Sequence, residues 1–351
     1  MKILQLNFER GWRGGERQTL LTMQQLQRQG HQVALLARAG GELAVRAHEQ
    51  GFTVHEFAGA LAACRFLATQ GRDFDILHAQ TANTLSWLAV MKPLLGKRIV
   101  FTRRTAFPLK PGKQARTRWK WQRVDAFVAI SQAAAAEPQR LGFAPRVIPS
   151  AIEARALNEN HMRLFAQEHG LAGRRVVATV AALTREKDPE TLVRAVHALR
   201  QLRDDFVFLH LGADGDAHQN ARELVEQLNL QRHYLFVGFQ SGIEDIYRLM
   251  DVYVSSSRYE ALGTSVLDAF LYGVPVVSTD AGGLAETLAD GRGVICAVGD
   301  HAALAQGMNQ VLSDGALRAG LIERARSYVQ KEHDVQVMGQ RYLAVYQSLS
   351  V

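Results

Sequence analysis

Cysteines and long apolar runs are both scarce in this 351-residue chain. The two cysteines, Cys64 and Cys296, lie too far apart for a metal-binding or redox motif, so a reducing compartment such as the cytoplasm is expected. No apolar run reaches the roughly 18 residues of a membrane span, and the longest candidate, LSWLAVMKPLL, contains Lys92 and Pro93. The N-terminal apolar run meets a charge at Glu9, which is typical of a first β-strand and not of a signal peptide.

Acidic residues are absent between Lys92 and Val124, a segment that is rich in cations and aromatic side chains. These are Lys92, Lys97, Arg98, Phe101, Arg103, Arg104, Phe107, Lys110, Lys113, Arg116, Arg118, Trp119, Lys120, Trp121 and Arg123. With a net charge of +7 for the chain, the segment predicts an anionic partner, either a membrane surface or an anionic acceptor molecule. The alternative is a basic helix that is simply solvated. No nucleic-acid-binding motif accompanies the charge, and no nucleic-acid partner is expected.

Motifs for metal and dinucleotide binding are incomplete. The glycines of RGGERQTL, after the first predicted strand, do not complete G-x-G-x-x-G. The DGD stretch at 214–216 follows another predicted strand and is expected to form a turn, not a metal site. No pair of carboxylates is spaced for acid–base catalysis across one site. We therefore expect neither a bound metal nor a cofactor.

Short apolar segments alternate with amphipathic ones along most of the chain. KILQLN, QVALLA, TVHEF, FDILHA, RIVFT and AFVAI are predicted strands, separated by segments of helical period. After Pro149 the pattern restarts with VVATVAAL, FVFLHLG, YLFVGF, VYVSSS, VPVVSTD and GVICAV. The sequence thus predicts an α/β protein of two Rossmann-like, doubly wound parallel-sheet domains, 1–150 and 151–334, that face a cleft. A helix over about 335–351 is expected to pack back on the first domain.

The stretch SSRYEALGTSVLDAFLYGVPVVSTDAGG, residues 256–283, combines a strand end, a helix start and two carboxylates. The predicted helix begins at Gly263, Thr264 and Ser265, and a helix N-terminus suits phosphate. Glu260, on the loop before it, can accept hydrogen bonds from sugar hydroxyls. Asp268 lies on the same helical face as Thr264 and can accept those of a ribose. The alternative is that Ser257 or Glu260 caps the helix and that Asp268 is an ordinary exposed residue.

The same stretch resembles the E-x7-E region of retaining family 4 glycosyltransferases. YEALG stands where the family typically has a Glu-Gly-Phe-Gly loop, and LDAFLYGVPVV stands where it has a second Glu and Ala-x-Gly-x-Pro-Val-Val. VAALTREKDPETLVRA, LHLGADGD and LFVGFQSGIEDIYRLMDVYVSSS precede it in the family's order, and RGGERQTL and DILHAQTANT match more loosely. The resemblance implies a GT-B fold, with an acceptor-side domain first and a nucleotide-sugar donor domain second.

The resemblance also implies roles for individual residues. Glu260 and Lys187 correspond to the residues that contact the donor sugar and clamp the diphosphate, and they are the expected catalytic pair. Asp268 takes the place of the Glu that holds the ribose, and Phe239 is expected beside the nucleobase. The Gly14-Gly15 pair corresponds to the glycine loop that closes over the phosphates.

The chain departs from the family at several of these donor positions. Asp268 is one methylene shorter than the usual Glu, and Ala261 and Leu262 replace the Gly and Phe of the loop. Leu262 and the helix start after it remain expected donor-binding residues. Ala182 stands where an Arg normally accompanies the clamp lysine, and Arg185 or an arginine of the first domain is expected to replace it.

Three residues at the ends of first-domain strands are candidates for the acceptor side. His78 ends FDILHA, and the alternative is a histidine satisfied by hydrogen bonds within the fold. Arg103 and Arg104 directly follow RIVFT, where the family often has a His. Two adjacent arginines suit a phosphorylated or carboxylated acceptor, and the alternative is a solvated pair.

Together these features predict a retaining, metal-independent glycosyltransferase. Its donor is expected to be a nucleotide diphosphate sugar, with UDP favoured. Its acceptor is expected to be a saccharide or a lipid-linked, anionic molecule at the inner face of the cytoplasmic membrane, as in lipopolysaccharide synthesis. In the mechanism that the resemblance implies, the leaving phosphate deprotonates the acceptor, so no protein nucleophile is required. The rival interpretations are a nucleotide-sugar 2-epimerase and a non-catalytic nucleotide-sugar-binding protein.

Overall fold

The computed structural model describes residues 1–349, which form two compact units. The first unit contains Met1–Ala151 and the C-terminal residues from Glu332 onward, and the second contains Ile152–Lys331. Each unit is a parallel sheet whose strands alternate with helices, and the predicted fold class is confirmed. Residues 350 and 351, at the end of the last predicted helix, lie outside the described residues.

Seven parallel strands form the sheet of the first unit, in the order β3-β2-β1-β4-β5-β6-β7. The strands are β1 (Lys2–Asn7), β2 (Gln32–Arg38), β3 (Thr53–Phe57), β4 (Ile76–Ala79), β5 (Arg98–Arg103), β6 (Ala126–Ala129) and β7 (Arg146–Val147). The helices are α1 (Gly14–Arg28), α2 (Glu42–Glu49), α3 (Ala60–Gln70), α4 (Ala82–Leu95), α5 (Gln114–Trp121) and α6 (Gln132–Arg140). The strand order reverses between β1 and β4, and ligands of doubly wound sheets bind at such switch points.

Burial on both faces explains why these strands read as continuous apolar runs. Successive side chains of a strand point to opposite faces of the sheet. Accordingly Ile3 packs in one apolar cluster with Leu26 of α1, whereas Leu4 packs in another with Leu88 of α4. A strand that alternated polar and apolar residues would leave one of these helical layers without a partner.

The second unit has six parallel strands in the order β10-β9-β8-β11-β12-β13. They are β8 (Arg175–Val180), β9 (Phe206–Leu211), β10 (Tyr234–Gly238), β11 (Val252–Ser255), β12 (Val276–Thr279) and β13 (Val294–Cys296). Its helices are α7 (Glu159–Glu168), α8 (Pro189–Arg200), α9 (His218–Gln227), α10 (Ile243–Tyr247), α11 (Thr264–Leu271), α12 (Gly283–Leu288), α13 (His301–Ser313) and α14 (Gly315–Glu332). Here the order reverses between β8 and β11, so the loops after these two strands lie at the switch point.

The last helix, α15 (Val335–Gln347), belongs to the core of the first unit. Met338, Tyr342 and Tyr346 are buried in the same cluster as residues of α1 and β1. The two helices lie so close that a Cβ at Gly339 would be 2.6 Å from Cβ of Gln25 on α1. The first unit is therefore built from both ends of the chain.

Candidate active site

The chain between β11 and α11 places Glu260 at the carboxyl edge of the second sheet. β11 is buried throughout, and residues 256–263 after it form what we call the Glu260 loop. The loop ends at Gly263, whose left-handed φ of 83° a glycine adopts without steric cost. A Cβ at Gly263 would lie 2.5 Å from Cδ2 of Leu284. α11 therefore begins four residues after Glu260, and the N–H groups of its first turn lie close to Glu260 in the chain.

A second loop brings a lysine to Glu260. β8 ends at Val180, and residues 181–188, which we call the Lys187 loop, lead into α8. Lys187 Nζ donates to Glu260 Oε2 in an ion pair. The two side chains are 26% and 20% exposed, so the pair is partly buried but open to solvent. The structure thus joins the two residues that the family resemblance predicts to be catalytic.

The Glu260 loop is also held from the side of β12 and α12. Three donors contact its backbone oxygens: Thr279 Oγ1 to Ser257 O at 2.7 Å, Gly283 N to Glu260 O at 2.9 Å, and Thr287 Oγ1 to Leu262 O at 2.9 Å. These donors are not among the site residues predicted from the sequence. The sequence signal for two of them was a threonine at a telling position: Thr279 ends the apolar strand β12, and Thr287 lies one turn into α12.

α11 carries the residues predicted to bind the ribose and the diphosphate. Asp268 is 9% exposed, so the alternative that it is an ordinary exposed residue is wrong. Thr264 and Ser265 are half-buried in the first turn. The hydroxyl of Tyr253 donates to Ser265 Oγ at 2.9 Å, which leaves the Ser265 proton for another acceptor. Burial raises the pKa of Tyr253 to about 12, so Tyr253 remains a donor at neutral pH.

Phe239 and Arg185 both project into solvent. The Phe239 side chain follows β10 and is 67% exposed. The Arg185 side chain is 82% exposed, and its Nε lies 3.8 Å from Asp216 Oδ2. Leu262 differs from both, because it is 3% exposed. The predicted donor contact of Leu262 is therefore corrected, because the whole residue is packed inside the unit.

The DGD residues pair with arginines. Asp214 Oδ1 lies 3.5 Å from Nη2 of Arg222, and Asp216 Oδ1 accepts from the backbone N–H of Arg185 at 3.0 Å. A Cβ at Gly215 would lie 2.6 Å from a backbone oxygen, as in a tight turn. Within residues 1–349, no group of three or more His, Cys, Asp or Glu side chains is arranged to hold a metal ion.

In the first unit, Gly14 and Gly15 begin α1 beside Arg104. A Cβ at Gly15 would lie 3.5 Å from Cδ of Arg104. The half-buried Arg104 guanidinium donates to Gln80 Oε1, at 2.7 Å from Nη2. Burial lowers the pKa of Arg104, but a guanidinium stays charged at neutral pH. A helix start and a cation therefore meet at the carboxyl edge of the first sheet.

Glu16 completes the start of α1 and is not among the site residues predicted from the sequence. Its carboxylate accepts from Asn7 Nδ2 at 3.2 Å and from the backbone N–H of Arg13 at 3.0 Å. Burial raises the pKa of Glu16, and the bond from Asn7 opposes that shift. An acid in the first helical turn after two glycines was the sequence signal for it.

His78 is enclosed within the first unit, which corrects the acceptor-side prediction. It is completely buried, with Nδ1 2.7 Å from the hydroxyl of Tyr346 and Nε2 2.8 Å from Thr102 Oγ1. Burial also holds the pKa of His78 well below its ordinary value, so the ring is neutral. Both ring nitrogens are used inside the first unit, as the alternative interpretation expected.

Arg103 also has a different role from the one predicted. Its Nε donates to Thr105 O at 2.8 Å and its Nη2 to Phe107 O, and the guanidinium lies 5.3 Å from the ring centre of Trp121. It is 5% exposed, so it anchors the loop that follows β5. Of the two adjacent arginines, only Arg104 lies beside the start of α1.

Two family models match the chain. Residues 12–155 match the model described as Glycosyltransferase Family 4, and residues 163–328 match the one described as Glycosyl transferases group 1. The chain is a glycosyltransferase with a family 4 domain followed by a group 1 domain. The family that the sequence motifs resemble is thereby confirmed.

Individual relatives and solved structures agree with this assignment. The glycosyltransferase is 25% identical over 299 residues to N-acetyl-alpha-D-glucosaminyl L-malate synthase of Bacillus anthracis, covering 82% of this chain and 78% of that one. It is 26% identical over 294 residues to the lipopolysaccharide core biosynthesis mannosyltransferase LpsB of Rhizobium meliloti, covering 80% and 81%. The structure of Anabaena Alr3699/HepE in complex with UDP and glucose has a TM-score of 0.88 at 20% identity, covering 99% and 100%. This likeness shows a shared GT-B fold.

The match to group 1 spans both loops of the candidate site. Lys187, Glu260 and Asp268 all fall within residues 163–328, and Gly14, Gly15 and Arg104 fall within residues 12–155. The glycosyltransferase thus has most of its candidate donor residues in the second unit, whereas Gly14 and Gly15, also predicted to bind the donor, begin α1 in the first.

Proposed function

We propose that this glycosyltransferase is a retaining enzyme that transfers a sugar from a nucleoside diphosphate sugar to a saccharide or lipid-linked acceptor. The observation that carries the proposal is the Lys187–Glu260 ion pair next to the start of α11. A cation, a carboxylate and backbone N–H groups are gathered at one edge of a parallel sheet. These groups match the diphosphate and the hydroxyls of such a donor.

Each group has a separate task in this reaction. The bond between the sugar C1 and the β-phosphate oxygen breaks, and Lys187 with the start of α11 stabilises the charge that grows on the phosphate. Glu260 accepts hydrogen bonds from the sugar hydroxyls and orients the ring. The acceptor oxygen bonds to C1 on the same face, and its proton passes to the leaving phosphate. This route needs no protein nucleophile, metal or cofactor.

UDP is the nucleotide that we favour. It is bound, with glucose, in the Anabaena protein that shares the fold. The ribose hydroxyls would donate to Asp268, a carboxylate buried on α11. A hydrogen bond to a charged group contributes about 1.5–3 kcal/mol, which corresponds to roughly 10- to 100-fold in affinity.

Calorimetric titration with UDP and with GDP tests the donor site. We expect UDP to bind and Asp268→Ala to weaken its binding by about 10- to 100-fold. Glu323→Ala, which removes an exposed carboxylate from α14, is the matched control and should bind UDP like the wild type. Binding of neither nucleotide would contradict the proposed function. Unchanged UDP binding by Asp268→Ala would contradict only the role of Asp268.

The acceptor is proposed to be anionic and presented at a membrane surface. Exposed cations and exposed apolar side chains share the region formed by α4, α5 and the loop before α5. They are Val90, Leu94, Phe107, Lys110, Lys113, Arg116, Arg118 and Trp119. Lys120 Nζ joins α5 to α4 through Ser86 Oγ at 3.2 Å. A basic surface with aromatic and aliphatic side chains suits the headgroup region of an anionic bilayer.

This surface favours a lipid-linked saccharide over a small dissolved acid. One relative is named for L-malate and another for the lipopolysaccharide core, so both kinds of acceptor occur among similar proteins. A small acid would gain nothing from exposed Trp119 and Leu94. No helix within residues 1–349 has both the length and the apolar character to cross a bilayer.

Vesicle co-sedimentation tests this surface. Wild-type protein is expected to bind vesicles of phosphatidylglycerol and not those of phosphatidylcholine. Reversing Lys113 and Arg116 to Glu together should weaken binding at least about tenfold, because each basic residue near an anionic surface contributes about 1 kcal/mol. Reversing Arg326 and Lys331 of α14 to Glu together is the matched control, with the same change of charge on the second unit. Equal binding by all three proteins would contradict the membrane proposal.

A non-catalytic nucleotide-sugar-binding protein is the second candidate function. It is favoured by Ala182, which stands where the family carries an Arg beside the clamp lysine. The two candidates differ in a direct assay: the enzyme releases UDP from a UDP-sugar, slowly with water and faster with an acceptor. A protein that binds UDP but never releases it from any UDP-sugar would support the second candidate.

A further inference from the structure

The Lys187 loop and the Glu260 loop are joined by more than their ion pair. The backbone N–H of Arg258 donates to Glu186 O at 2.8 Å. The Ser256 hydroxyl lies 2.8 Å from Lys187 O and 2.9 Å from Asp188 O. The two loops are therefore fastened on both sides of Lys187, close to the residues that lead to Glu260.

Asp188, the residue after Lys187, is a buried acid in a strained conformation. Its φ of 49° and ψ of 59° lie in the left-handed region that favours glycine. It is 3% exposed, and its Oδ2 accepts from Thr191 Oγ1 at 2.7 Å at the start of α8. A glycine would adopt this backbone without strain, so the carboxylate is the part of Asp188 that a glycine could not supply.

Arg258 uses that carboxylate. Its Nε donates to Asp188 Oδ2 at 2.7 Å, while more than half of the Arg258 side chain is exposed. Asp188 is adjacent to Lys187, and Arg258 is two residues before Glu260. A single charge-assisted bond thus ties the chain beside one functional residue to the chain beside the other.

We propose that Asp188 and Arg258 are positioning residues that set the separation between Lys187 and Glu260. The inference rests on the proposed function, because it assumes that Lys187 and Glu260 contact the donor. Neither positioning residue touches a reacting atom in this scheme; they act by holding the two loops together. Without the bond, the loops can shift by about an ångström, which is enough to reduce a catalytic rate by up to about 100-fold.

Three substitutions and one control test the role. Arg258→Ala and Asp188→Gly each break the bond, and Asp188→Gly does so while keeping a residue that accepts the left-handed backbone. Arg258→Lys keeps the positive charge at this position but lacks the planar guanidinium. Asp290→Gly is the matched control, because Asp290 also has a positive φ, of 55°, and also pairs with an arginine, Arg292, at 2.8 Å. The Asp290 side chain is exposed, and neither loop contains it.

The first readout is UDP release from UDP-glucose, UDP-galactose and UDP-N-acetylglucosamine with water as acceptor, beside calorimetric UDP affinity. We expect Arg258→Ala and Asp188→Gly to lower kcat by about 10- to 100-fold, with UDP affinity changed by less than about threefold. Arg258→Lys should recover part of kcat, and Asp290→Gly should match the wild type. An unchanged kcat, or a loss of kcat that follows an equal loss of UDP affinity, would overturn the inference.

The second readout is hydrogen exchange of the peptides that cover 184–192 and 256–263, measured without any donor. Faster exchange in Arg258→Ala than in Asp290→Gly would support the inference that the Asp188–Arg258 ion pair restrains both loops. Equal exchange in the two variants would overturn that inference. If the wild type releases no UDP from any of the three sugars, the proposed catalytic function fails. Hydrogen exchange then decides the inference by itself.

Discussion

Replacing Gly283 with Ala is expected to displace the Glu260 loop. A Cβ at Gly283 would lie 2.0 Å from Ala261 O and 2.8 Å from the backbone nitrogen of Leu262. Carbon and oxygen atoms approach to about 3.3 Å in close contacts, so these groups must separate by more than about 1 Å. Both neighbours are backbone atoms of the Glu260 loop, and no flexible side chain can absorb the shift.

The expected magnitude follows from that displacement. Overpacking of this kind costs about 1–3 kcal/mol, and a misplacement of about 1 Å reduces a catalytic rate by roughly 100-fold. Gly315→Ala is the control, because nothing lies within 4 Å of a Cβ at Gly315, at the start of α14. It should be neutral or stabilising by up to about 1 kcal/mol.

Urea denaturation and UDP release from a UDP-sugar measure both effects. Gly283→Ala should unfold at a lower urea concentration than Gly315→Ala and should release UDP far more slowly. If the two alanine variants unfold at the same urea concentration and turn over equally, the steric argument for the loop is refuted.

Three further predictions concern the first unit. Tyr346→Phe leaves His78 Nδ1 without the hydroxyl that lies 2.7 Å away, and urea denaturation should show a loss of about 1–3 kcal/mol; a midpoint equal to the wild type would contradict it. Two bonds from Arg140 lower the pKa of Glu137 from 4.5 to about 2, so the stability that its ionised form supplies is complete above pH 4.5 and is lost as the pH falls towards 2. Glu137→Gln should therefore flatten the dependence of the thermal midpoint on pH in that window, and an unchanged slope would count against this assignment. Trp121→Ala should cost about 3–5 kcal/mol because Trp121 is buried, whereas Trp119→Ala on the exposed face of α5 should alter vesicle binding and leave the unfolding midpoint near that of the wild type.

The strands and the helix start at α11 were predictable because local pattern determines them. Apolar runs mark strands that are buried on both faces, and Gly263 marks the end of the loop by its left-handed backbone. The pairing of Lys187 with Glu260 could be expected only through the family resemblance. The two residues are 73 positions apart, and no local pattern encodes their contact.

The predictions that the structure corrects were wrong for a different reason. His78, Arg103 and Leu262 all lie near strand ends or loops, where a polar or exposed role is the usual expectation. For His78 a distant residue decides the environment, since Tyr346 occupies one nitrogen from 268 positions away. For Arg103 the backbone oxygens of Thr105 and Phe107 decide it, and the path of that loop is not encoded in a local pattern. Asp188 was overlooked for a related reason, since its left-handed backbone is apparent only in the structure.

The place of α15 in the first unit has a consequence for how the protein is made on the ribosome. Gln5 in β1 donates to the hydroxyl of Tyr346, a contact that spans 341 positions of sequence. At synthesis rates of about 5–20 residues per second, β1 waits on the order of tens of seconds for this partner. The second unit is continuous from Ile152 to Lys331 and can complete its own core during that interval. The half of the protein that is synthesised first is therefore the half that finishes folding last. Until α15 is synthesised, the apolar face of α1 that packs against it is uncovered, and a nascent-chain chaperone would bind there.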